Sequence, residues 1–214
     1  MKINPRDAYV HQAYAFLLMN LGRHDEAIKE IRLARELDPL ALRVRANVGY
    51  ILYFARKYDE AEQELRRELE FEPNNCTIYL YLAYSYREMG RYEEALDYRL
   101  KKYYECLHLD QTANLAENSR FLADIYARMG KKEESLKILE DNELPGPDGH
   151  YGSRVGLAGA YGWMGDKDKA FSLLEKAYEE RDARMTYLKV EPWLDCLRDD
   201  PRFTDLLRRI GLEK

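Results

Sequence analysis

Acidic pairs are the residues of this sequence that could most directly carry out acid–base chemistry. The pairs are Glu93-Glu94, Glu133-Glu134 and Asp199-Asp200. Each pair stands where the residue pattern predicts the beginning of a helix, and carboxylates at a helix N-terminus are stabilised by the positive end of the helix dipole. Because the sequence indicates no polar pocket converging on them, we expect a solvated surface at these pairs and no enzyme activity.

The cysteines and histidines are spaced in ways that do not indicate a metal site. They are Cys76, Cys106, Cys196, His11, His24, His108 and His150. The cysteines are odd in number and lack a Cys-x-x-Cys pair, and no two histidines have metal-ligand spacing. We therefore expect no disulfide framework, no metal and no cofactor, with a reducing cytoplasm as the simplest location.

Five glycines in the last third of the chain superficially suggest a phosphate-binding loop. They are Gly152, Gly156, Gly159, Gly162 and Gly165. They do not follow a predicted strand, and their spacing of three to four residues places several on one helical face, which disfavours a nucleotide site. Two interpretations remain open: close packing against a neighbouring helix, or a shallow ligand recess with Trp163 on its wall.

The composition narrows the classes of protein to which the chain can belong. Of its 214 residues, 46% are hydrophobic, and its 34 Lys and Arg against 39 Asp and Glu give a net charge of −5. This balance is too apolar for a disordered chain and lacks the basic excess typical of nucleic-acid binding. No apolar stretch approaches the ~20 residues of a membrane-spanning helix. We therefore expect no direct binding to nucleic acid or to membranes.

A repeat of 34 residues organises the sequence. Pro5, Pro39 and Pro73 follow one another at this interval. The aligned segments share two columns of small residues, namely Ala15, Gly49, Ala83, Ala123 and Ala158, then Ala27, Ala61, Ala95, Ser135 and Ala170. Small residues allow helices to approach closely, so each repeat is predicted to form two antiparallel helices joined by a turn. Glycines at positions 22, 90, 130 and 165 stand where a left-handed residue would end the first helix.

The sequence resembles the tetratricopeptide repeat family. The runs 19–27 (MNLGRHDEA) and 89–95 (MGRYEEA) look like that family's turn and second-helix start. The resemblance implies an all-α fold, a right-handed superhelical α-solenoid of antiparallel helix pairs with a C-terminal helical cap. The predicted divisions are 1–7 (tail of a truncated preceding repeat), the repeats 8–41, 42–75, 76–115, 116–150 and 151–184, and the capping helices 185–214.

The repeats depart from the family pattern in three places. Arg56 replaces the turn glycine of the second repeat, so we expect a different turn conformation there. The third repeat is six residues longer than 34, with Arg99 and Lys102 at positions that are usually apolar or small. Its second helix is predicted to be longer by more than a turn, through Leu107. A segment rich in Pro and Gly, 145–149, predicts a break between repeats four and five.

The two ends of the chain lead to different expectations. Pro5 is in phase with the later prolines, so Met1–Pro5 is predicted to be the tail of a preceding repeat in a longer protein. The uncovered face this would leave allows a homo-oligomer through the N-terminal end. At the other end, the sequence resembles the segment that closes many bacterial tetratricopeptide proteins. Its predicted capping residues are Trp193, Leu194, Leu197, Phe203, Leu206 and Leu207.

In this family the first helix of each repeat lines a concave groove that binds a partner. By register, the candidate partner-binding residues are Tyr9, Gln12, Phe16, Asn47, Tyr50, Phe54, Tyr81, Tyr84, Arg87, Arg120, Asp124 and Trp163. Tyr and Arg commonly dominate binding energy, although any single tyrosine could instead fill a gap between helices. Of the Lys, Asn and Arg positions with which one subtype clamps a peptide carboxylate, only Asn47 matches, so that mode is disfavoured.

Two functions remain in contention. The leading one is a non-catalytic protein–protein interaction scaffold that binds a peptide or helix of a partner in the concave groove. The alternative is a regulatory or sensor region of a larger bacterial signalling protein. The resemblance implies a cyclase, kinase or winged-helix domain as the effector in that case.

Overall fold

The protein is all-α. The computed structural model describes residues 7–106, 108, 115–143 and 154–213, which form helices and turns without a strand. The predicted fold class is confirmed. The chain divides into two compact units, Met1–Asp110 and Gln111–Lys214, called unit 1 and unit 2 below.

Unit 1 consists of three helix pairs. Its helices are α1 (Ala8–Asn20), α2 (His24–Leu37), α3 (Leu42–Phe54), α4 (Tyr58–Phe71), α5 (Cys76–Glu88) and α6 (Tyr92–Leu96), the last continuing to Cys106. Helix α2 is typical of the second helices: it buries Ala27, Ile28, Ile31 and Ala34, which lie on one face at helical spacing. The amphipathic pattern therefore folds each second helix against the first helix of its own pair.

A left-handed residue follows the first helix of each pair. Gly22 and Gly90 have φ values of 76° and 74°. The prediction of a different turn at Arg56 is wrong, because Arg56 adopts φ 58°. Its backbone N–H donates to the Tyr53 carbonyl at 3.0 Å, as the Gly22 N–H does to its own preceding helix. The helix end therefore imposes the left-handed conformation even where a side chain disfavours it.

Small residues are required where helices pack most closely. Gly49 on α3 lies against α4, where a Cβ at this position would come within 2.4 Å of Leu65 Cγ. In unit 2 the two small columns meet directly, since the Ser135 hydroxyl donates to the Ala123 carbonyl at 2.8 Å. The columns recognised in the sequence thus mark the lines along which paired helices touch.

The six extra residues of the third repeat change the winding of its second helix. After α6 the chain forms a π-helical turn, Asp97–Lys102, and then α7 (Tyr103–Cys106). The described helix therefore runs from 92 to 106, only one residue longer than α2 or α4. The described part of this helix is thus not longer by more than a turn, and the predicted end at Leu107 lies outside the described residues. The wider winding takes up part of the insertion and buries Arg99.

Cys76 and Cys106 form a disulfide. The sequence-based expectation that the cysteines stay reduced is therefore wrong for this pair. Cys76 is the first residue of α5 and Cys106 the last of α7, and their Cα atoms lie 5.4 Å apart. An antiparallel pair of helices brings the beginning of one next to the end of the other, which accounts for this proximity across thirty residues.

Unit 2 contains two helix pairs and a C-terminal segment. Its elements are α8 (Leu115–Arg128), α9 (Lys132–Glu143), α10 (Arg154–Met164), α11 (Lys167–Glu179), 3₁₀ turns at Ala183–Tyr187 and Pro192–Leu197, and α12 (Pro201–Arg209). Pro201 occupies the first turn of α12, and the Asp200 side chain caps it by accepting from the Arg202 N–H at 3.0 Å.

The C-terminal segment covers the α10–α11 pair. Leu194, Leu197, Phe203 and Leu206 belong to one buried cluster with residues of α10 and α11. Trp193 and Leu207 pack against the same cluster and are partly buried. These six residues, which the sequence analysis expects to cap the fifth repeat, thus pack against the α10–α11 pair.

The glycine-rich face of α10 is closed by packing. A Cβ at Gly159 would lie 3.2 Å from Trp193 Cδ1, and one at Gly162 would lie 2.7 Å from Cys196 Sγ. The absence of side chains at Gly159 and Gly162 thus lets the Pro192–Leu197 turn pack closely against α10. The hypothesis of a ligand recess on this face is therefore wrong. The predicted tail at 1–5 and break at 145–149 lie outside the described residues.

Candidate functional site

Aromatic residues from α1, α3 and α5 form one continuous cluster in unit 1. The aromatic cluster comprises Phe16, Tyr50, Tyr53, Phe54, Tyr81 and Tyr84. Tyr50 is its centre: it stacks on Tyr81 with ring centroids 4.4 Å apart, meets Phe54 edge-on at 4.9 Å, and lies 6.0 Å from Phe16. Five of these six residues are sequence-predicted site residues, and the structure brings them together.

The cluster has a buried layer and a half-exposed layer. Tyr53 and Phe54 are each only 1% exposed, whereas Phe16, Tyr50, Tyr81 and Tyr84 are half-buried. Phe54 can therefore support the tyrosines but cannot itself contact a ligand in this conformation. Tyr53, which the groove register did not select, is the second support.

Polar side chains fix the orientation of the tyrosines. The Tyr81 hydroxyl donates to Asn47 Oδ1 at 3.4 Å. Arg87 is 1% exposed, and its guanidinium donates to the Tyr53 hydroxyl at 2.9 Å and pairs with Glu88 at 2.7 Å. The same guanidinium lies 5.6 Å from the centre of the Tyr84 ring. Arg87 is thus a positioning residue beneath the tyrosines, since its burial leaves no surface for a partner.

Two predicted site residues lie earlier on α1. Tyr9 is exposed in the first turn, where Asp7 caps the helix by accepting from the Tyr9 N–H at 2.9 Å. Gln12 is buried. Tyr9 precedes Phe16 by about two helical turns, so it lies on the same helix but away from the centre of the aromatic cluster.

The remaining predicted residues form a different arrangement in unit 2. Asp124 and Arg128 make an ion pair at 3.1 Å with side chains only 6% and 5% exposed. The Arg128 guanidinium stacks 4.2 Å from the Trp163 ring centre, and the Trp163 indole N–H donates to the Trp193 carbonyl at 2.9 Å. Arg120 lies against α10, where a Cβ at Gly156 would be 3.3 Å from its Cδ. This polar cluster, Asp124, Arg128 and Trp163, is largely satisfied from within.

Cys196 lies next to the polar cluster and stays protonated. Burial raises the pKa of its thiol to about 12, and the nearby Asp124 carboxylate acts in the same direction. A thiol with that pKa is a poor nucleophile at neutral pH, because the thiolate is the reactive species. The surroundings of Cys196 therefore favour packing over chemistry.

An ion-pair cluster joins α4 to the third repeat on unit 1. Glu62 accepts from Arg91 at 2.6 Å, from Arg66 at 2.8 Å and from the Tyr86 hydroxyl at 3.1 Å. Partial burial opposes the ionisation of Glu62, but these hydrogen bonds outweigh it and lower its pKa. Burial raises the pKa of Tyr86, and the charges of Tyr98 and Glu62 act in the same direction, whereas Arg66 opposes them. Tyr86 is fully buried and belongs to the core.

Within the described ranges, the structure brings together no group of three or more His, Cys, Asp or Glu side chains that could hold a metal ion. A search of the same residues finds no helix long and apolar enough to cross a membrane. Of the three clusters described above, the aromatic cluster presents half-exposed rings that are suited to contact with a partner.

Models of known protein families match two segments of the chain. Models described as "Tetratricopeptide repeat" match residues 8–39, which span α1 and α2, and residues 65–97, which run from α4 through α6. These two segments of the chain match tetratricopeptide repeats. No curated protein sequence matches it.

Solved structures give more distant similarities. One is the tetratricopeptide repeat protein YrrB, whose structure is described as having an unusual peptide-binding site: 22% identity, 87% of this chain and 92% of that one, TM-score 0.45. Another is MamA, with 16% identity, 87% and 100% coverage and TM-score 0.45. A tetratricopeptide repeat protein from Parabacteroides merdae has 15% identity, 97% and 80% coverage and TM-score 0.47.

Proposed function

We propose that this tetratricopeptide repeat protein is an interaction scaffold that binds an extended peptide or a helix of a partner through the aromatic cluster of unit 1. The repeats themselves support a protein-interaction role, since this family generally comprises non-catalytic scaffolds. The assignment of the binding site to the aromatic cluster rests on one observation. The half-exposed Tyr50–Tyr81 stack lies on the buried rings of Tyr53 and Phe54.

The stack is suited to binding because its rings are already ordered. Fixing a mobile side chain on association costs about 0.5–1.5 kcal/mol, and rings held by neighbours avoid most of that cost. Tyr50 contacts aromatic rings on three sides, and Tyr81 is held by the stack and by Asn47. A rigid tyrosine presents apolar area together with a polar rim, which suits a peptide with alternating apolar side chains and backbone amides.

Asn47 supports the stack from within. It is only 3% exposed, and its Oδ1 accepts from the Tyr81 hydroxyl, which helps to fix the orientation of that ring. A partner would therefore contact the rings of Tyr50 and Tyr81 and not the Asn47 amide.

Peptide selection against the full chain tests the proposal. A displayed random-peptide library is selected on the wild type, and the affinity of the enriched peptides is then titrated against Tyr50→Ala and Tyr81→Ala. Each substitution should weaken binding about thirtyfold, the effect of losing a central aromatic contact of about 2 kcal/mol.

Tyr14→Ala is the matched control, because Tyr14 is an exposed tyrosine on α1 outside the cluster. It should bind like the wild type, and thermal unfolding should establish that all three variants are folded. Enriched peptides that bind the two cluster variants and the wild type equally would contradict the proposal.

A regulatory region of a larger bacterial signalling protein remains the second candidate. The observation that favours it is the C-terminal segment packed on α10 and α11, because this segment resembles the one that closes many bacterial tetratricopeptide proteins. The reading frame upstream of Met1 tests it, since an in-frame stop directly before Met1 would contradict it. A homo-oligomer through the N-terminal end also remains a prediction; α1 exposes Tyr14 and Leu17, and sedimentation at high concentration would test it.

The cytoplasmic location expected from the cysteine pattern stays a prediction. Its premise was a chain without disulfides, and the Cys76–Cys106 bond counts against that premise.

A further inference from the structure

The Cys76–Cys106 disulfide encloses one structural unit of the repeat array. It joins the first residue of α5 to the last residue of α7, so the loop it closes contains both helices of the third repeat. A cross-link of this kind limits the freedom of the unfolded segment and fixes the two helix ends to each other. Its presence or absence therefore acts on the third repeat as a whole.

The segment that the disulfide holds is intrinsically weak. The second helix consists of the five-residue α6, a six-residue π-helical turn and the four-residue α7. π-Helical winding is rare and seldom exceeds a single turn. The same turn buries the charged Arg99, which carries a desolvation cost. We expect α7 to depend on an external attachment, and the disulfide provides one.

One cysteine of the bond, the half-buried Cys106, lines an open pocket. The pocket has a volume of about 610 Å³, and its other lining residues are Pro73, Asn74, Tyr79, Lys102, Glu105 and His108. That volume is ample for a small thiol. Exposed disulfides are the ones most readily opened by thiol–disulfide exchange. Cys196, by contrast, packs partly buried against the core of unit 2, and its raised pKa keeps the thiol protonated.

The reduced pair also has a hydrogen-bond acceptor close by. The Asn74 carbonyl oxygen lies 3.3 Å from Cys106 Sγ and 3.6 Å from Cys76 Sγ. Either thiol could donate to this oxygen after the bond is broken. The site is therefore compatible with the disulfide and with the dithiol.

We propose that Cys76–Cys106 is a redox-controlled staple of the third repeat, opened by a low-molecular-weight thiol that enters the pocket and attacks Cys106. A thiolate RS⁻ forms an RS–S bond to Cys106 as the Cys106–Cys76 bond breaks, and Cys76 leaves as a thiolate. A second RS⁻ attacks the RS–S bond, giving RS–SR and the Cys106 thiolate, and both thiolates then take up protons from water. The reverse reaction, with RS–SR as oxidant, restores the staple. This inference is independent of the proposed peptide-binding role.

Thiol counting and hydrogen exchange on the full chain test the staple. After equilibration with oxidised glutathione and unfolding without reductant, the wild type and Cys196→Ala should each have two fewer reactive thiols than after reduction. Amide exchange in residues 97–106 should be about tenfold faster in the reduced than in the oxidised wild type, because α7 loses its attachment. Residues of α1 and α2 should exchange at the same rate in both states.

Single-cysteine variants test the route of entry. Cys76→Ser and Cys106→Ser should exchange rapidly between 97 and 106 in either buffer. With oxidised glutathione, Cys76→Ser should form its mixed disulfide at Cys106 several-fold faster than Cys106→Ser forms one at Cys76. Three reactive thiols in the oxidised wild type, or equal protection in both redox states, would overturn the staple. Equal rates of mixed-disulfide formation would overturn the role of the pocket.

Discussion

The corresponding repeat positions of the two units carry different chemistry. The position that follows the first small column is Phe16, Tyr50 and Tyr84 in unit 1, but Asp124 and Gly159 in unit 2. In unit 1 these side chains form a half-exposed aromatic layer on a buried support. In unit 2, Asp124 is paired with Arg128, and Gly159 is covered by Trp193.

The comparison indicates how one helix-pair scaffold produces an open face and a closed one. Aromatic rings satisfy each other through packing and still leave edges and hydroxyls for a partner. A buried ion pair uses its hydrogen-bonding capacity internally, and removal of either member exposes the other to a desolvation penalty. This difference supports the proposal that a partner contacts unit 1, whereas the matching positions of unit 2 contribute to packing.

The largest expected effect is at the ion pair of unit 2. Asp124→Ala leaves the buried Arg128 without this carboxylate and should lower the free energy of unfolding of unit 2 by about 3 kcal/mol. Chemical denaturation followed by circular dichroism measures the loss. Asp168→Ala is the control, because its pair with Arg202 is on the surface and should contribute less than about 1 kcal/mol. Similar losses from both variants would remove the distinction between a structural pair and a surface pair.

The next effect concerns the closed face of α10. Gly162→Val places a Cβ within 3 Å of both Cys196 Sγ and Leu197 Cδ2 and should destabilise unit 2 by about 2 kcal/mol. Gly165→Ala is less informative as a control because Gly165 has φ 89°. Gly156→Ala is better, since its nearest neighbour is the flexible Arg120 side chain. A stable Gly162→Val protein would mean that the C-terminal segment is not tightly seated.

A smaller effect of opposite sign is expected in unit 1. Arg56→Gly removes the cost of a left-handed side-chain residue and should raise the free energy of unfolding by about 1 kcal/mol or less. The gain is limited because the Arg56 guanidinium also donates to the Phe54 carbonyl at 2.8 Å. The converse substitution, Gly22→Arg, should destabilise the protein. A loss of stability in both variants would show that the hydrogen bond outweighs the backbone conformation.

The smallest effect is the pH dependence contributed by Glu62 in unit 1. The pKa of Glu62 lies below its ordinary value of 4.5 in the folded protein. Its stabilisation is therefore complete above that pH and is lost as the pH falls through the folded-state pKa. Glu62→Gln should reduce the acid sensitivity of unfolding by less than about 1 kcal/mol. Urea titrations at several acidic pH values measure it, and an unchanged pH profile would contradict the assignment.

The repeat fold could be predicted from the sequence because it depends on columns. Gly22 and Gly90 mark left-handed turns by residue type, and the shared geometry of these turns extends to Arg56. The aromatic cluster followed in large part from register, since Tyr50 and Tyr81 occupy groove positions of adjacent repeats. The burial of Arg87 could not be predicted from the register. The register places Arg87 on the groove helix but does not reveal that its contacts with Tyr53 and Glu88 hold it inside.

The third repeat and the glycine face could not be derived from the columns. An insertion of six residues can lengthen a helix, form a loop or widen the winding, and the sequence does not distinguish these outcomes. Linear spacing alone does not indicate the cysteine pair, because the helix hairpin brings the two residues together. The available signal was that Cys76 begins the third predicted repeat and that Cys106 lies near the end of its predicted second helix. The neighbour of Gly162, Cys196 in the cap, lies too far along the chain for any helical pattern to identify.

The location of the two tryptophans gives the molecule an internal optical label. Trp163 and Trp193 both belong to unit 2, and unit 1, which contains no tryptophan, absorbs in the near ultraviolet mainly through its tyrosines. Emission excited selectively at the tryptophan edge should therefore follow the melting of unit 2 alone. Tyrosine absorbance should be dominated by unit 1 and its stacked rings. A single unlabelled sample can thus show whether the two units unfold together or in succession.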